Sequence, residues 1–350
     1  MSRLTVLCAA PRREPDPLRP GGSLPYGMDV LADHIDLAWV DLHRGAREAR
    51  VQQRIAGVIR RLSPGRRGWE LARAARRLTP GPVLSVFEDA GLAFARRQRG
   101  RSGGPHVMVS CWLAQDVQDH PAAVRSLRAS MSSVAAVCVY SSNQPGILSS
   151  ELHIPVDRIH VVPFGVDTAY YDRRLVAGPG GGAGVVAVGS DSRRDYATLF
   201  AVAERSGIPM TVACRPRNLV GLTVPPLVDL VSVFDTAYRE LLHRADVVVT
   251  PTTAPAYPSG QSVVLEAMSM GKATITTDSP AMRDYVADGG TGILVPRGDP
   301  DAVGAAITRV LSDDRLRGSL GDRAERDVRE RFDLRRQWDA VAHVLAEVTG

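Results

Sequence analysis

Residues Ala245–Val295 read ADVVVTPTTAPAYPSGQSVVLEAMSMGKATITTDSPAMRDYVADGGTGILV. The β-branched run ADVVVT ends at Pro251, which marks a strand followed by the loop TTAPAYPSGQ. SVVLEAMSM is rich in helix formers from Leu265 to Met270 and stops at Gly271. ATITTD is a second strand, SPAMRDYV an N-capped helix, and GILV a third strand. Strand–helix–strand alternation of this kind builds a parallel sheet covered by helices.

The same rhythm runs through the whole chain. Apolar runs read as strands at Leu4–Cys8, Leu37–Leu42, Val83–Phe87, Val107–Cys111, Val134–Tyr140 and His160–Pro163 in the first half. In the second half they fall at Val185–Val188, Met210–Ala213, Leu230–Val233, Val247–Thr250, Ala273–Thr277 and Gly292–Val295. Such runs, without strict alternation, suit strands buried on both faces. The expected class is α/β, built twice. The glycine-rich stretch GPGGGAG (Gly178–Gly184) reads as a flexible break. It divides an N-terminal unit, residues 1–172, from a C-terminal unit, residues 185–330, with residues 173–184 as linker. Phe332, Trp338, Val341 and Leu345 follow at helical spacing. Residues 331–350 are therefore expected to form a helix that packs back on the first unit.

Composition agrees with two globular domains. The chain has 350 residues, 44% hydrophobic and 23% charged, where about 150 residues per domain is usual. No apolar run approaches the ~20 residues of a membrane span, and no signal peptide is visible, so a cytoplasmic location is expected. The net charge is +5, and Lys272 is the sole lysine among 43 basic residues. A modest arginine excess suits an anionic partner such as a diphosphate, or a solvated basic face. Nucleic acid is disfavoured because the arginines are not interleaved with aromatics. The four cysteines, Cys8, Cys111, Cys138 and Cys214, have no metal-ligand spacing and read as core thiols.

Several familiar sites are absent from the sequence. No G-x-G-x-x-G follows the first strand, no P-loop surrounds Lys272, and no G-x-S-x-G elbow occurs. Asp299-Pro300-Asp301 reads as a helix cap with proline at the first helical position, and no metal is expected. One feature remains that attracts an anion. The entry Ser259-Gly260-Gln261-Ser262 leaves backbone N–H groups at a helix start, where the partial positive charge favours phosphate. Glu266 stands one turn further in, where its carboxylate could accept two ribose hydroxyls or simply decorate the surface.

These residues resemble the C-terminal signature of the retaining GT-B glycosyltransferases of glycosyltransferase family 4. That signature runs through a strand "ADVFVxPS", a loop and helix ending "Glu-Ala-Met-Ala-x-Gly", the strand "PVVAT" and "TGxLVxPGD". VVPFGVD (Val161–Asp167) is similar to the family's "VIPNGVD", and VAVGSDSRRDYATLFAV (Val186–Val202) to its "VGRLxxxKGxxxLLxA". PGGSLPYGMDVLA (Pro20–Ala32) resembles, more loosely, its glycine-rich turn after the first strand, which brings in Gly22. The likeness is strong over residues 160–311 and loose before 130. It implies GT-B architecture: two doubly wound, Rossmann-like parallel-sheet domains facing a cleft. The implied activity is sugar transfer from a nucleotide-diphosphate sugar, with that donor as substrate and no resident cofactor.

By the resemblance, Glu266 binds the nucleotide ribose and Arg194, with Arg193 beside it, neutralises the diphosphate. Gly189 and the Ser259, Gly260, Gln261 and Ser262 turn hold the donor. Two positions depart from the family pattern. Its first glutamate, eight residues before the one matched by Glu266, falls at Pro258, and its arginine at Ser190 or Asp191. The sugar is then held differently, for instance by the Ser259 and Gln261 side chains, or the donor is unusual, or the chain binds without transfer. Acceptor candidates follow strands of the first half: Glu88 and Asp89, which could also simply start the helix AGLAFARR, and Trp112. The expected acceptor is a small molecule or glycoside bearing a hydroxyl or amine. A lipid-linked acceptor is the alternative, for which the arginine-rich stretch Ile59–Leu78 would supply an interfacial helix. Oligomeric state is not encoded in any of these features.

Overall fold

The structure is a computed structural model, and it describes residues 3–8, 24–40, 81–98 and 103–350. The positions Gly22 and Ile59–Leu78 lie outside the described residues. The chain forms two compact units, one of Met1–Pro163 with Gln337–Gly350 and one of Phe164–Arg336.

The first unit contains β1 (Leu4–Cys8), β2 (Leu37–Trp39), β3 (Val83–Val86), β4 (His106–Ser110), β5 (Ala136–Val139) and β6 (Ile159–Val161). They make one six-stranded sheet in the order β2-β1-β3-β4-β5-β6, with every pairing parallel. Every residue of β1, β3, β4 and β5 is buried, as double coverage by helices demands. The final helix, Leu334–Thr349, serves this unit: Trp338, Val341 and Leu345 are buried, and the Trp338 indole N–H donates to the Tyr26 carbonyl at 2.8 Å. Phe332 does not join that apolar stripe. It ends the preceding helix, Asp314–Arg331, and stacks on Tyr285 at 5.2 Å inside the second unit.

The second unit contains β7 (Val185–Val188), β8 (Met210–Ala213), β9 (Val228–Val231), β10 (Val247–Thr250), β11 (Ala273–Thr277) and β12 (Ile293–Val295). Their order is β12-β11-β10-β7-β8-β9, again all parallel. Strand order reverses between β7 and β10, and open α/β sheets bind ligands at the carboxyl ends of strands at such a switch point. Each strand expected from the sequence is present within a few residues of its expected bounds.

Three local expectations differ from what formed. The division falls at Pro163/Phe164 rather than near residue 172, because Val166 pairs with Asp333 and Tyr170 and Tyr171 join the second core. The glycine run is fastened within the second unit rather than hanging free as a linker. Gly181 and Ala183 donate to the carbonyls of His243 and Arg244, and the Asp246 carboxylate accepts from Gly182 and Gly184 at 3.0 and 2.8 Å. SPAMRDYV forms only a single 3₁₀ turn, Met282–Asp284, which the Ser279 hydroxyl caps. Asp299 does cap its helix, accepting from the Ala302 amide at 2.9 Å with Pro300 in the first turn. Cys8, Cys111 and Cys138 are buried, and burial pushes the Cys138 thiol up to about 12.

Candidate functional site

The loops that leave β7 and β10 meet at the switch point of the second sheet. Asp195 donates to the Pro251 carbonyl and Thr253 to the Arg193 carbonyl, and Arg194 pairs with Thr252 in an antiparallel bridge. These bonds lock the segment Gly189–Asp195 against the segment Pro251–Gly260. Asp195 then caps the helix Tyr196–Ser206 through the Thr198 amide. The Tyr196 hydroxyl donates to the Gly189 carbonyl at 2.6 Å, and burial holds its pKa above the ordinary tyrosine value.

Arg194 sits in a notch made by two glycines. A Cβ on Gly189 would lie 2.2 Å from the Arg194 Nε, and one on Gly260 2.3 Å from its Nη1. Both glycines also hold positive φ, +152° and +94°, which L side chains rarely adopt. The guanidinium therefore reaches the start of the helix Gln261–Ser269 because neither wall carries a side chain. Its Nε and Nη1 are buried without a hydrogen-bond partner. Buried, unpaired guanidinium donors are costly, and an anion such as a diphosphate would satisfy them.

The helix start supplies more polar groups. Gly260 is its N-cap and no side chain caps it. The amide of Gln261 is turned onto the Pro258 carbonyl at 3.1 Å, so this expected phosphate donor already serves the turn. Ser262 is half-buried, and Ser259 is buried with an unpaired hydroxyl. One turn inward, Glu266 is half-buried and accepts a short hydrogen bond from the Tyr238 hydroxyl. Burial and the Glu266 charge push Tyr238 well above its usual range, while the Arg194 charge opposes them. Arg194 and Glu266 thus share one electrostatic neighbourhood. Arg193 is half-buried, and its amide donates to the Asp191 carboxylate at 2.7 Å.

Sequence reasoning missed two partnerships. Tyr238 lies 28 residues from Glu266, and Tyr257 lies 66 residues from Asp191, whose carboxylate oxygens stand 2.8 and 2.9 Å from the Tyr257 hydroxyl. Neither pair has a local sequence signal: Tyr238 and Glu266 lie on two different helices, and Asp191 and Tyr257 on the loops that leave β7 and β10.

The acceptor candidates occupy the first unit. Glu88 is buried, and its Oε1 accepts from the Ser110 hydroxyl and from the amides of Trp112 and Leu113, at 2.6, 2.6 and 2.9 Å. It thereby ties β3 to the helix Leu113–Asp119, and burial raises its pKa. That placement makes Glu88 an internal brace rather than a group presented to solvent. Asp89 is half-buried in the first turn of the helix Glu88–Gln98. Trp112 is 38% exposed and lies 5.1 Å from the Phe87 ring, which in turn meets Tyr26 edge-on at 5.2 Å. Phe87 holds φ +69° at the end of β3, a genuine outlier for a bulky residue. Among the described residues, no three His, Cys, Asp or Glu side chains form a metal-binding group.

Comparison with known proteins bears directly on this site. Residues 216–313 match the family described as Glycosyl transferases group 1. A phosphatidyl-myo-inositol mannosyltransferase of Mycolicibacterium smegmatis is 31% identical over 204 residues, covering 53% of this chain and 50% of that protein. A lipopolysaccharide core biosynthesis mannosyltransferase of Rhizobium leguminosarum is 33% identical over 86 residues, 25% of this chain and 24% of that one. The chain thus spans half or less of the length of these curated relatives. Among solved structures, Anabaena HepE in complex with UDP-glucose superposes with a TM-score of 0.70 at 15% identity, covering 99% of each chain. Sucrose-phosphate synthase of Thermosynechococcus elongatus gives 0.70 at 16% identity, covering 99% of this chain and 98% of that one. The chain has the GT-B glycosyltransferase fold, and residues 216–313 of its second unit are similar to the family described as Glycosyl transferases group 1.

Proposed function

We propose that the chain is a retaining glycosyltransferase that moves a sugar from a nucleotide-diphosphate donor to a hydroxyl or amine of a small molecule or glycoside. One observation carries the reading: the Arg194 guanidinium is wedged between Gly189 and Gly260 at the β7/β10 switch point with buried, unpaired donors. A diphosphate lying against Arg194 and the uncapped start of the helix Gln261–Ser269 satisfies those donors and the helix terminus together. The Glu266 carboxylate, steadied by Tyr238, accepts the ribose hydroxyls.

In the transfer, the bond from the anomeric carbon to the diphosphate oxygen breaks while the acceptor oxygen bonds on the same face. The acceptor proton passes to the departing phosphoryl oxygen, so no protein base is required. Negative charge grows on the leaving oxygens, and Arg194, with Arg193 and the helix terminus, stabilises it. Removing one such donor typically lowers turnover about 10²–10³-fold. Arg194→Ala should show that loss when assayed against a panel of nucleotide sugars. Turnover equal to the parent protein would remove Arg194 from the mechanism.

A second reading places the acceptor on a lipid. The Mycolicibacterium relative is named as a phosphatidyl-myo-inositol mannosyltransferase, which favours an acceptor held at a membrane surface. No described helix is long and apolar enough to cross a membrane, so such contact would be peripheral. Flotation with vesicles containing anionic lipid, at low salt, separates the two: co-flotation supports the lipid acceptor, and protein left at the bottom of the gradient rejects it.

A further inference from the structure

One charged group at the switch point has no part in holding a diphosphate. Asp191 lies on the loop between Gly189 and Arg194, half-exposed, and would repel a phosphate. It is nevertheless held firmly. The Arg193 amide donates to its Oδ1 at 2.7 Å, and the buried Tyr257 hydroxyl lies within 2.9 Å of both carboxylate oxygens. Its own backbone carbonyl accepts from the Arg194 amide and from the Asn218 side chain, at 3.2 and 2.9 Å.

Tyr257 has a single proton to give, so the carboxylate receives two donors from these contacts. An ionised carboxylate accepts about four. Capacity therefore remains on a fixed acceptor at the mouth of the β7–β10 loops. Tyr257 precedes Gly260 by three residues, so the group that clamps Asp191 belongs to the turn that walls Arg194. In that turn the Ser259 hydroxyl, 1% exposed, also lacks a partner. An acceptor with spare lone pairs beside an anion-binding arginine suits a neutral, hydroxyl-rich group attached to a phosphate.

We propose that Asp191 is a specificity-determining residue: it accepts hydrogen bonds from hydroxyls of the transferred sugar, and Tyr257 positions it. This rests on the donor reading above. It assigns to the β7 loop a carboxylate that the β10 loop, with Pro258 before Ser259, does not supply.

The test compares binding of a nucleoside diphosphate with its sugar conjugate, using UDP against UDP-glucose and GDP against GDP-mannose by calorimetry. For the parent protein the conjugate of the preferred pair binds more tightly than the bare diphosphate. Asp191→Asn should cut that ratio about tenfold while leaving diphosphate affinity within twofold. Tyr257→Phe keeps the carboxylate but frees it, and should lower the ratio by a smaller factor. This second variant carries the test if Asp191→Asn does not fold. An unchanged ratio in both variants overturns the proposal. So does an equal fall for diphosphate and conjugate, which would make Asp191 a brace of the loop. If the parent protein binds none of the diphosphates, the donor reading fails first, and that result is visible before any variant is made.

Discussion

Arg194 depends on what its neighbours lack. A methyl group on Gly260 would stand 2.3 Å from Nη1 and 2.5 Å from the Thr250 Cγ2, and the backbone there has φ +94°. Gly260→Ala should therefore displace the guanidinium and strain the turn, at a cost of about 1–3 kcal/mol in stability. The expected outcome is a loss in kcat/KM close to that of Arg194→Ala, with a melting temperature lowered by several degrees. Full activity in a folded Gly260→Ala protein would show that the notch is not needed. The sequence made Arg194, Gly260 and Glu266 readable because they lie in contiguous motifs around strand ends. Asp191–Tyr257 and Tyr238–Glu266 were unreadable because each hydrogen bond closes across a sheet connection. The inward turn of Glu88 was equally hidden: a carboxylate directly after a strand looks the same in sequence whether it faces solvent or braces the next helix.

At the level of elements, the buried parallel strands were the most legible part. Runs of Val, Ile and Leu declare themselves when both faces are covered. Short connections were less so: the SPAMRDYV segment has a cap and a proline but closes as a single 3₁₀ turn. The pair β3–β4 carries a polar contact that titrates. His106 is fully buried, its Nε2 lies 2.8 Å from the Ser85 hydroxyl, and its Nδ1 has no partner. A proton added there would be a buried charge beside Phe94, whose ring lies 5.0 Å away. Burial accordingly lowers the His106 pKa from 6.5 to about 3. The unfolded chain then binds a proton that the native state refuses between those two values. Stability contributed by this residue is complete above pH 6.5 and is lost progressively as pH falls toward 3. The slope approaches about 1.4 kcal/mol per pH unit. His106→Gln keeps a hydrogen-bonding group for Ser85 but cannot take up the proton in this range. Denaturant midpoints measured from pH 7 to 5 should fall less steeply for the variant than for the parent. Parallel slopes would show that His106 does not carry the acid sensitivity.

The whole molecule has a chain order that differs from its unit order. The first unit is completed by residues 337–350, which follow the entire second unit in sequence. Trp338 is 0% exposed and bonds the Tyr26 carbonyl, and His34 lies 2.8 Å from Asp339, so the 3₁₀ segment Pro25–Asp33 and its cap His34 rely on the last helix. The proposed donor groups, by contrast, all belong to the second unit. Two perturbations should therefore separate in thermal unfolding. Trp338→Ala removes a fully buried indole and its hydrogen bond, a change that costs about 3–5 kcal/mol, and it should lower the transition of the first unit. A saturating nucleoside diphosphate at about one hundred times its Kd stabilises whatever binds it by about 2.7 kcal/mol, and it should raise the transition of the second unit. Calorimetric scans of parent and variant, with and without the diphosphate, test both shifts. If the diphosphate raises the same transition that Trp338→Ala lowers, and by a similar amount, then the ligand is held by the first unit and the Arg194 notch is not its seat. If it raises the other transition alone, and Arg194→Ala abolishes that rise, the diphosphate is bound where the two glycines leave room for the guanidinium.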